Sequence, residues 1–298
     1  MASDLQPDPT RSRARFYAPE IAFDRPVPDV PPAVFERERD IAFSADAPTG
    51  FVVLDQSEAL ACPWPATTPT MLARYLVLGA GRSFNHQLNS TGEVYYVISG
   101  SGRSSCAGER VSWKAGDAFC LPGGLEVEHL ASQNAVLMLV TNEPELAYLR
   151  AEAGEASRSI RPTLFAAEET ERHLRAVHGR NGEQRAAGKS VVFLTTLMEA
   201  RRVTTPTLLT SINSLEPGGD QRPHRHSSAA LTLSIAGEGV YSMVEERRVD
   251  WSPYVLFVTP PNKVHSHHNR GRELMRSFVA QDTGLHAQLR TTNFSWTD

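Results

Sequence analysis

The chain has 298 residues, a formal net charge of −4 at pH 7 and a hydrophobic content of 41%. This length allows one large domain or two modest ones, each able to bury a core. The pI near 6.2 and the lack of Lys/Arg runs argue against nucleic-acid and membrane-surface partners. No apolar run reaches membrane-spanning length and the polar start lacks a signal-peptide core, so we expect a cytoplasmic protein.

Cysteine is sparse in this chain. Cys62, Cys106 and Cys120 do not pair by number and lack metal-ligand spacing. We expect reduced thiols that pack as small apolar side chains.

Residues 1–50 are rich in Pro, Arg and Asp and lack sustained periodicity, apart from a helical pattern around residues 31–40. This composition predicts an extended N-terminal arm that covers a sheet or a neighbouring subunit. From about residue 51, short alternating segments separated by Gly and Pro indicate an all-β sandwich or barrel. The predicted strands are residues 70–78, 93–99, 102–106, 118–121 and 135–140.

A helical pattern over residues 163–177 interrupts the strands, which resume at Ser190 and continue to the C terminus. The two β segments also repeat each other. Gly100, Trp113 and Pro122 recur as Gly237, Trp251 and Pro260, at offsets of 137 or 138 residues. A constant offset across separate blocks indicates an internal duplication. We therefore predict an arm (1–50), a first β unit (51–150), a helical linker (151–189) and a second β unit (190–298).

The histidines of the second unit have metal-ligand spacing. His224 and His226 stand at i and i+2, which places both side chains on one face of a strand. His265 follows the turn at Pro260 and Pro261 and is placed to complete a three-nitrogen face. Neutral imidazoles suit Fe, Zn, Cu and Ni, and three of them leave coordination positions open for chemistry.

The motifs around these histidines resemble those of the cupins. The matching residues are Gly218, His224, His226, Pro260, Asn262, His265 and Asn269. With the duplication, the chain resembles a bicupin. The resemblance implies an all-β fold of two double-sheet β-barrel (jelly-roll) domains joined by a short helical segment. The glutamate usual after the His-x-His pair is replaced by Ala230 and Leu231.

A narrower resemblance is to the gentisate and salicylate 1,2-dioxygenases, which are ring-cleaving bicupins with three histidines on Fe(II). It is carried by the run from His224 to Leu231, by Asp250-Trp251, and by the run from His265 to Asn269. The resemblance implies Fe(II) bound by His224, His226 and His265. It also implies that His267 is a pocket histidine that hydrogen-bonds the substrate. We expect His267 to be catalytic, accepting a hydrogen bond from a substrate hydroxyl or stabilising bound oxygen, and the alternative is a histidine that only orients its neighbours.

The implied reaction inserts O2 between C1 and C2 of a salicylate-like or gentisate-like acid, and a 5-substituted salicylate such as 5-nitrosalicylate fits equally well. The expected partners are this small aromatic acid, O2 and further copies of the chain in a homo-oligomer. Two alternatives remain open: a Mn-dependent bicupin hydrolase or decarboxylase, and a non-catalytic binding cupin. The missing glutamate disfavours the first, and the three histidines disfavour the second.

Several positions depart from the dioxygenase pattern. Thr232 stands where the family has an arginine for the substrate carboxylate, and the metal motif lies in the second unit instead of the first. Tyr254 and Val255 replace a Gly-Asp pair, so we expect that turn to close differently. The sequence does not rank the remaining candidates for a carboxylate-binding arginine, which are Arg74, Arg82, Arg103, Arg201, Arg202 and Arg222.

The first unit retains only part of the metal motif. Leu88 and Val127 stand where the second and third ligands are needed. We predict a purely structural domain, with a weak site of His86, Glu93 and His129 as the alternative. The other histidines are expected to have no metal role: His173, His178 and His286 as solvated or satisfied side chains, and His268 because it alternates to the opposite strand face.

Overall fold

The computed structural model describes residues 8–24, 27–154, 159–179 and 188–297. Within these ranges the chain forms two double-sheet units built mainly from strands, with a few short helices. The predicted all-β fold is therefore confirmed. No helix among the described residues is long and apolar enough to span a membrane.

The first unit consists of a larger and a smaller antiparallel sheet. The larger sheet has the order β1-β2-β9-β4-β7-β10 and the smaller one β3-β8-β5-β6. The strands are β1 (Gly50–Leu54), β2 (Leu72–Leu78), β3 (Ser83–Gln87), β4 (Glu93–Ser99), β5 (Ser101–Cys106), β6 (Glu109–Lys114), β7 (Ala118–Leu121), β8 (Glu126–Ala131), β9 (Ala135–Thr141) and β10 (Thr163–Phe165).

The second unit also consists of two antiparallel sheets, each of five strands. Its sheets have the orders β11-β12-β19-β14-β17 and β16-β15-β18-β13-β20. The strands are β11 (Lys189–Phe193), β12 (Leu209–Leu215), β13 (His224–His226), β14 (Ala230–Ala236), β15 (Val240–Val244), β16 (Arg247–Asp250), β17 (Leu256–Thr259), β18 (His265–Asn269), β19 (Met275–Gln281) and β20 (Phe294–Trp296).

Six helices and one short 3-10 turn connect and flank the strands among the described residues. The helices are α1 (Pro9–Arg13), α2 (Pro19–Phe23), α3 (Glu36–Ala42), α4 (Glu143–Leu149), α5 (Ala167–His178) and α6 (Thr283–Leu289), and the 3-10 turn is Glu199–Arg201. The predicted helix over residues 163–177 begins too early. Residues 163–165 form β10 on the edge of the first sheet, because Leu164 pairs with Phe119.

The duplication inferred from the sequence extends to the hydrogen bonds. The Thr67 hydroxyl donates to the Leu54 carbonyl and accepts from the Ala73 amide. At the equivalent place in the second unit, the Thr204 hydroxyl donates to the Phe193 carbonyl and accepts from the Thr210 amide. Equivalent positions therefore make equivalent contacts, which lets one unit serve as a control for the other.

Each unit has one outer sheet edge covered by the segment that precedes the other unit. Strand β10, before the second unit, pairs with β7 of the first. The N-terminal segment pairs with β17 of the second, where the Phe35 amide donates to the Leu256 carbonyl and the Val258 amide to the Ala33 carbonyl. Covered edges do not offer free backbone groups to other chains. This part of the predicted arm thus lies on a sheet of its own chain.

The six-stranded sheet of the first unit and the sheet β11-β12-β19-β14-β17 of the second unit share one hydrophobic core. Tyr96 of the first unit stacks on Phe278 of the second, with ring centroids 5.3 Å apart. Buried side chains of both units, including Leu231, Phe278 and Met138, belong to the same cluster. The other sheet of the second unit, β16-β15-β18-β13-β20, carries the histidine motif.

We expected the turn at Tyr254 to differ from a Gly-Asp turn, but its backbone has the same left-handed conformation. Tyr254 adopts a left-handed φ of 60°, as Gly116 does at the equivalent position with φ 89°. The backbone conformation is therefore the one that glycine favours, although a side chain at positive φ is strained. Phe43 stacks on the Tyr254 ring with centroids 5.3 Å apart. This packing holds the aromatic side chain where the sequence pattern has glycine.

Candidate metal centre

The fold brings the three predicted ligand residues together. Strands β13 and β18 run antiparallel with His224 directly opposite His265, and His226 follows two residues later on the same face. One ring nitrogen from each of the three lies within 4.8 Å of the others. Among the described residues, this is the one group of three or more His, Cys, Asp or Glu side chains with such geometry.

Backbone carbonyls fix which nitrogen of each ring is free. Nδ1 of His224 lies 3.0 Å from the Arg222 carbonyl, and Nδ1 of His265 lies 3.0 Å from the Lys263 carbonyl. Nδ1 of His226 lies 2.8 Å from the Ser228 carbonyl. A carbonyl oxygen only accepts, so each Nδ1 carries the proton and each Nε2 keeps its lone pair. Three Nε2 lone pairs are thus available to a metal.

Burial keeps these imidazoles neutral. It lowers the pKa of His226 to about 4, despite the opposing hydrogen bond to the Ser228 carbonyl. Burial also lowers the pKa of His224, and it lowers that of His265 well below its usual value, with the neighbouring His226 adding to the effect. A neutral imidazole is the form that binds a metal, because protonation removes the lone pair.

A cavity of about 230 Å³ lies beside the three histidines. Its polar lining includes Asn213, Gln221, Thr232, Thr259, His267 and Gln281. The Gln281 amide nitrogen lies 3.3 Å from Nε2 of His226, and its carbonyl oxygen accepts from the Thr283 hydroxyl at 3.0 Å. The Gln281 amide nitrogen therefore lies next to the place that a metal would occupy.

His267 lines the same cavity from strand β18 and is 7% exposed. Its Nδ1 lies 2.7 Å from the Ser242 hydroxyl oxygen, which also accepts from the Trp251 indole N–H at 2.8 Å. Burial lowers the pKa of His267 to about 3, so the ring is neutral. His268 lies on the opposite face, stacked on Tyr241 and bonded to Asp220.

The residues present fit a divalent metal. Three neutral nitrogen donors from adjacent strands suit Fe, Zn, Cu or Ni, and leave further positions open for small molecules in the cavity. Each donor is also oriented by a backbone carbonyl, as is usual for metal-binding histidines.

In the first unit, side chains of the unit itself occupy the place that corresponds to the three-histidine site. Tyr95 donates a short hydrogen bond to Glu93, and Nε2 of His86 lies 2.9 Å from the same carboxylate. The Tyr95 hydroxyl lies 3.4 Å from Nε2 of His129. His86, Glu93 and His129 do not form a metal-ligand group of the kind found at His224. The phenol of Tyr95 stands among them.

Among the described residues that line the cavity, there is none of the arginines considered as carboxylate partners. Arg74 is paired with Glu143 at 2.5 Å, and Arg222 lies over the ring of Trp296. Of the other histidines, His178 bonds to Glu216 and Ser214, His286 bonds to Thr291, and His173 is exposed.

Several residues of the site were not predicted from the sequence: three that line the cavity and Ser242, which contacts His267. Ser242 was detectable, because the repeat offset relates it to Ser104 as it relates Trp251 to Trp113. The sequence did not indicate a functional role for Asn213, Gln221 or Gln281, because isolated polar residues are common outside functional sites. Only the folded second unit shows that they share a cavity with the histidines.

Residues 212–280 match the family model described as Cupin domain. This match lies within the second unit. A gentisate 1,2-dioxygenase of Streptomyces sp is 35% identical over 111 residues, which are 37% of this chain and 30% of that protein. The match thus spans less than a third of that relative's length.

Solved structures show the fold of the whole chain. The salicylate 1,2-dioxygenase of Pseudaminobacter salicylatoxidans aligns with a TM-score of 0.78 at 14% identity, over 96% of this chain and 94% of that one. Its adduct with gentisate aligns with a TM-score of 0.76 at 15% identity, over 93% and 88%. The chain therefore has the bicupin fold, and the resemblance to gentisate and salicylate 1,2-dioxygenases predicted from its motifs is confirmed.

Proposed function

We propose that the protein is an Fe(II)-dependent dioxygenase that cleaves the ring of a salicylate-like or gentisate-like acid between C1 and C2. The observation that carries the proposal is the convergence of three Nε2 lone pairs, from His224, His226 and His265, beside a cavity. The gentisate 1,2-dioxygenase relative and the gentisate adduct of the similar structure support this substrate class.

The cavity supports a small, single-ring substrate. Its volume of about 230 Å³ is below the roughly 300–1,000 Å³ of sites for drug-sized ligands. The amides of Asn213 and Gln221 and the hydroxyl of Thr259 can hydrogen-bond polar ring substituents. A ring with one carboxylate and one neighbouring hydroxyl fits this lining.

The proposed roles follow from position. His224, His226 and His265 would hold the metal through Nε2, and the carbonyls of Arg222, Ser228 and Lys263 would keep each ring oriented. Bound iron would supply the electrons for reaction with O2 and the charge that attracts an acidic chelating substrate. Gln281 and His267, which line the same cavity, would hydrogen-bond the substrate and so fix its orientation.

The test is O2 uptake by the anaerobically purified, Fe(II)-loaded protein with salicylate, gentisate, 5-nitrosalicylate or 5-chlorosalicylate. We expect stoichiometric O2 uptake with a ring-fission chromophore, and mass spectrometry should find both atoms of ¹⁸O2 in the product. The Zn(II)-loaded protein is the matched control, because zinc does not change its redox state. Substrate loss without O2 uptake would favour the hydrolase or decarboxylase alternative, and binding without turnover would favour a binding cupin.

A further inference from the structure

His265 and His267 lie on the same strand face but carry their protons on different ring nitrogens. His265 bonds a backbone carbonyl through Nδ1, so Nδ1 carries its proton and Nε2 is free to bind a metal. His267, two residues later, instead faces a hydroxyl through Nδ1. A hydroxyl both donates and accepts, so the other partners of Ser242 decide where the proton of His267 lies.

The hydrogen bond from the Trp251 indole determines which ring nitrogen of His267 carries the proton. The indole N–H can only donate, and it donates to the Ser242 oxygen at 2.8 Å. Ser242 is fully buried, and His267 is the one acceptor for its hydroxyl proton among the described residues. The Ser242 hydroxyl therefore donates to Nδ1 of His267, since the opposite arrangement would leave a buried hydroxyl proton without a partner. The proton of the neutral His267 ring is then on Nε2.

We propose that Trp251 and Ser242 are positioning residues that make His267 a hydrogen-bond donor toward a phenolic oxygen of the substrate. This inference rests on the proposed function for its substrate. Of the two roles expected from the sequence, accepting from a substrate hydroxyl is excluded by this tautomer, because Nε2 carries a proton. Donation to an ionised ring hydroxyl stabilises the negative charge on that oxygen.

The first unit supports a phenolic acceptor. Its Trp113 indole donates to Ser104 at 2.8 Å, and Ser104 lies 2.7 Å from Nδ1 of His129. There, Nε2 of His129 faces the hydroxyl of Tyr95, which also lies 3.3 Å from Nε2 of His86. The same three-residue chain is thus aimed at a phenolic oxygen.

The second unit lacks this internal phenol. The repeat relates His129 to His267 and His86 to His224 at an offset of 138. Strand β4 aligns with β14 at an offset of 137, with matching strand pairing and bulges, so Thr232 stands where the first unit has Tyr95. The position of the phenolic oxygen in the first unit therefore corresponds to a point between His267 and a proposed metal ligand. A substrate hydroxyl would take that point in the second unit.

The first experiment reads the tautomer directly. Long-range ¹H–¹⁵N NMR of the ¹⁵N-histidine-labelled, Zn(II)-loaded wild-type protein distinguishes protonated from unprotonated ring nitrogens, with His267→Gln assigning the signal. We expect a protonated Nε2 and an unprotonated Nδ1 in His267. A protonated Nδ1 overturns the inference, and this result does not depend on any activity or on the stability of a Ser242 variant.

The second experiment removes the hydroxyl. In Ser242→Ala, kcat should fall at least about tenfold, the loss expected for one hydrogen bond to a charged group. Iron content should be unchanged, and Ser242→Thr, which keeps a hydroxyl, should restore most of the rate. Ser104→Ala removes the same buried hydroxyl from the first unit and should leave kcat unchanged. Equal effects of the two alanine variants would show that Ser242 only stabilises the fold.

Ligand binding separates this inference from the proposed function. Calorimetry of the Zn(II)-loaded protein should show at least about tenfold weaker salicylate binding in Ser242→Ala. Binding of benzoate, which lacks the hydroxyl, should not change. If the iron-loaded protein oxidises no aromatic acid, the proposed function fails while this comparison still holds. If salicylate and benzoate respond alike, the positioning role fails even in an active enzyme.

Discussion

The hydroxyl of Tyr75 donates a hydrogen bond of 2.6 Å to the carbonyl oxygen of Tyr254, from one unit to the other. Tyr75 is fully buried in strand β2, and Tyr254 occupies the left-handed turn before strand β17. The bond therefore ties the core of the first unit to a strained turn of the second. That turn leads directly into the strand whose edge is covered by the N-terminal segment.

Tyr75→Phe should lower the free energy of unfolding by about 1–3 kcal/mol, because a partly buried carbonyl loses its donor. Urea unfolding followed by circular dichroism measures the change. Tyr148→Phe is the matched control, since Tyr148 is 74% exposed and should tolerate the same loss of a hydroxyl. If the two variants are equally stable, the bond contributes nothing to the contact between the units.

The proposed metal ligands can be separated from their neighbours by single substitutions. His224→Ala and His265→Ala should each lose most of the bound iron, because two imidazoles hold a divalent ion far less tightly than three. His268→Ala is the control, because this histidine stands on the same strand and faces outward against Tyr241. Elemental analysis after Fe(II) loading gives the answer. Full iron content in both ligand variants would contradict the assignment.

The two-unit fold could be predicted because the sequence pattern of one unit occurs twice in the chain. The recurrence of Gly100, Trp113 and Pro122 at a constant offset marks the same turns and strands in both units. The three histidines could be grouped because the period of a strand places i and i+2 on one face, and because His265 follows a turn. These signals lie in short stretches of sequence, so they can be recognised without knowing how the chain packs.

Other features depend on contacts between distant segments. Nothing local in residues 33–35 indicates that they pair with β17, more than two hundred residues later. Likewise, residues 163–165 have a helical hydrophobic pattern, and they form a strand because the edge of β7 is open beside them. The lining of the cavity by Gln221 and Gln281 also follows only from the packing of the two sheets of the second unit.

The first unit should bind no metal even when its polar cluster is disturbed. In the double variant His86→Ala with His129→Ala, iron content should stay near one per chain, because the three ligands of the second unit are intact. A loss of half the iron bound by the wild-type protein would reveal a second site in the first unit.

The Tyr95 hydroxyl should instead matter for stability. Tyr95→Phe removes the donor to Glu93, which is fully buried, and should cost about 1–3 kcal/mol in the free energy of unfolding. Iron content should not change. Chemical unfolding and elemental analysis of the same sample test both statements, and a gain of iron would mean that the phenol had been blocking a functional site.

Mild acid should destabilise the metal-free protein through its buried histidines. Burial lowers the pKa of His226 to about 4 and those of His129 and His267 to about 3. In the unfolded chain, each histidine takes up a proton near its ordinary pKa of about 6.5. Between these values the unfolded state binds more protons than the folded state, so the free energy of unfolding falls as the pH falls.

The expected slope is up to about 1.4 kcal/mol per pH unit for each such histidine, once the pH is well below about 6.5. Urea unfolding of the metal-free protein between about pH 7 and 5.5 measures it, above the range in which ordinary carboxylates titrate. In His129→Gln the slope should decrease by the contribution of one proton, whereas His173→Gln, an exposed site, should leave it unchanged. A slope that is flat in the wild-type protein would show that these histidines are not held neutral in the folded state.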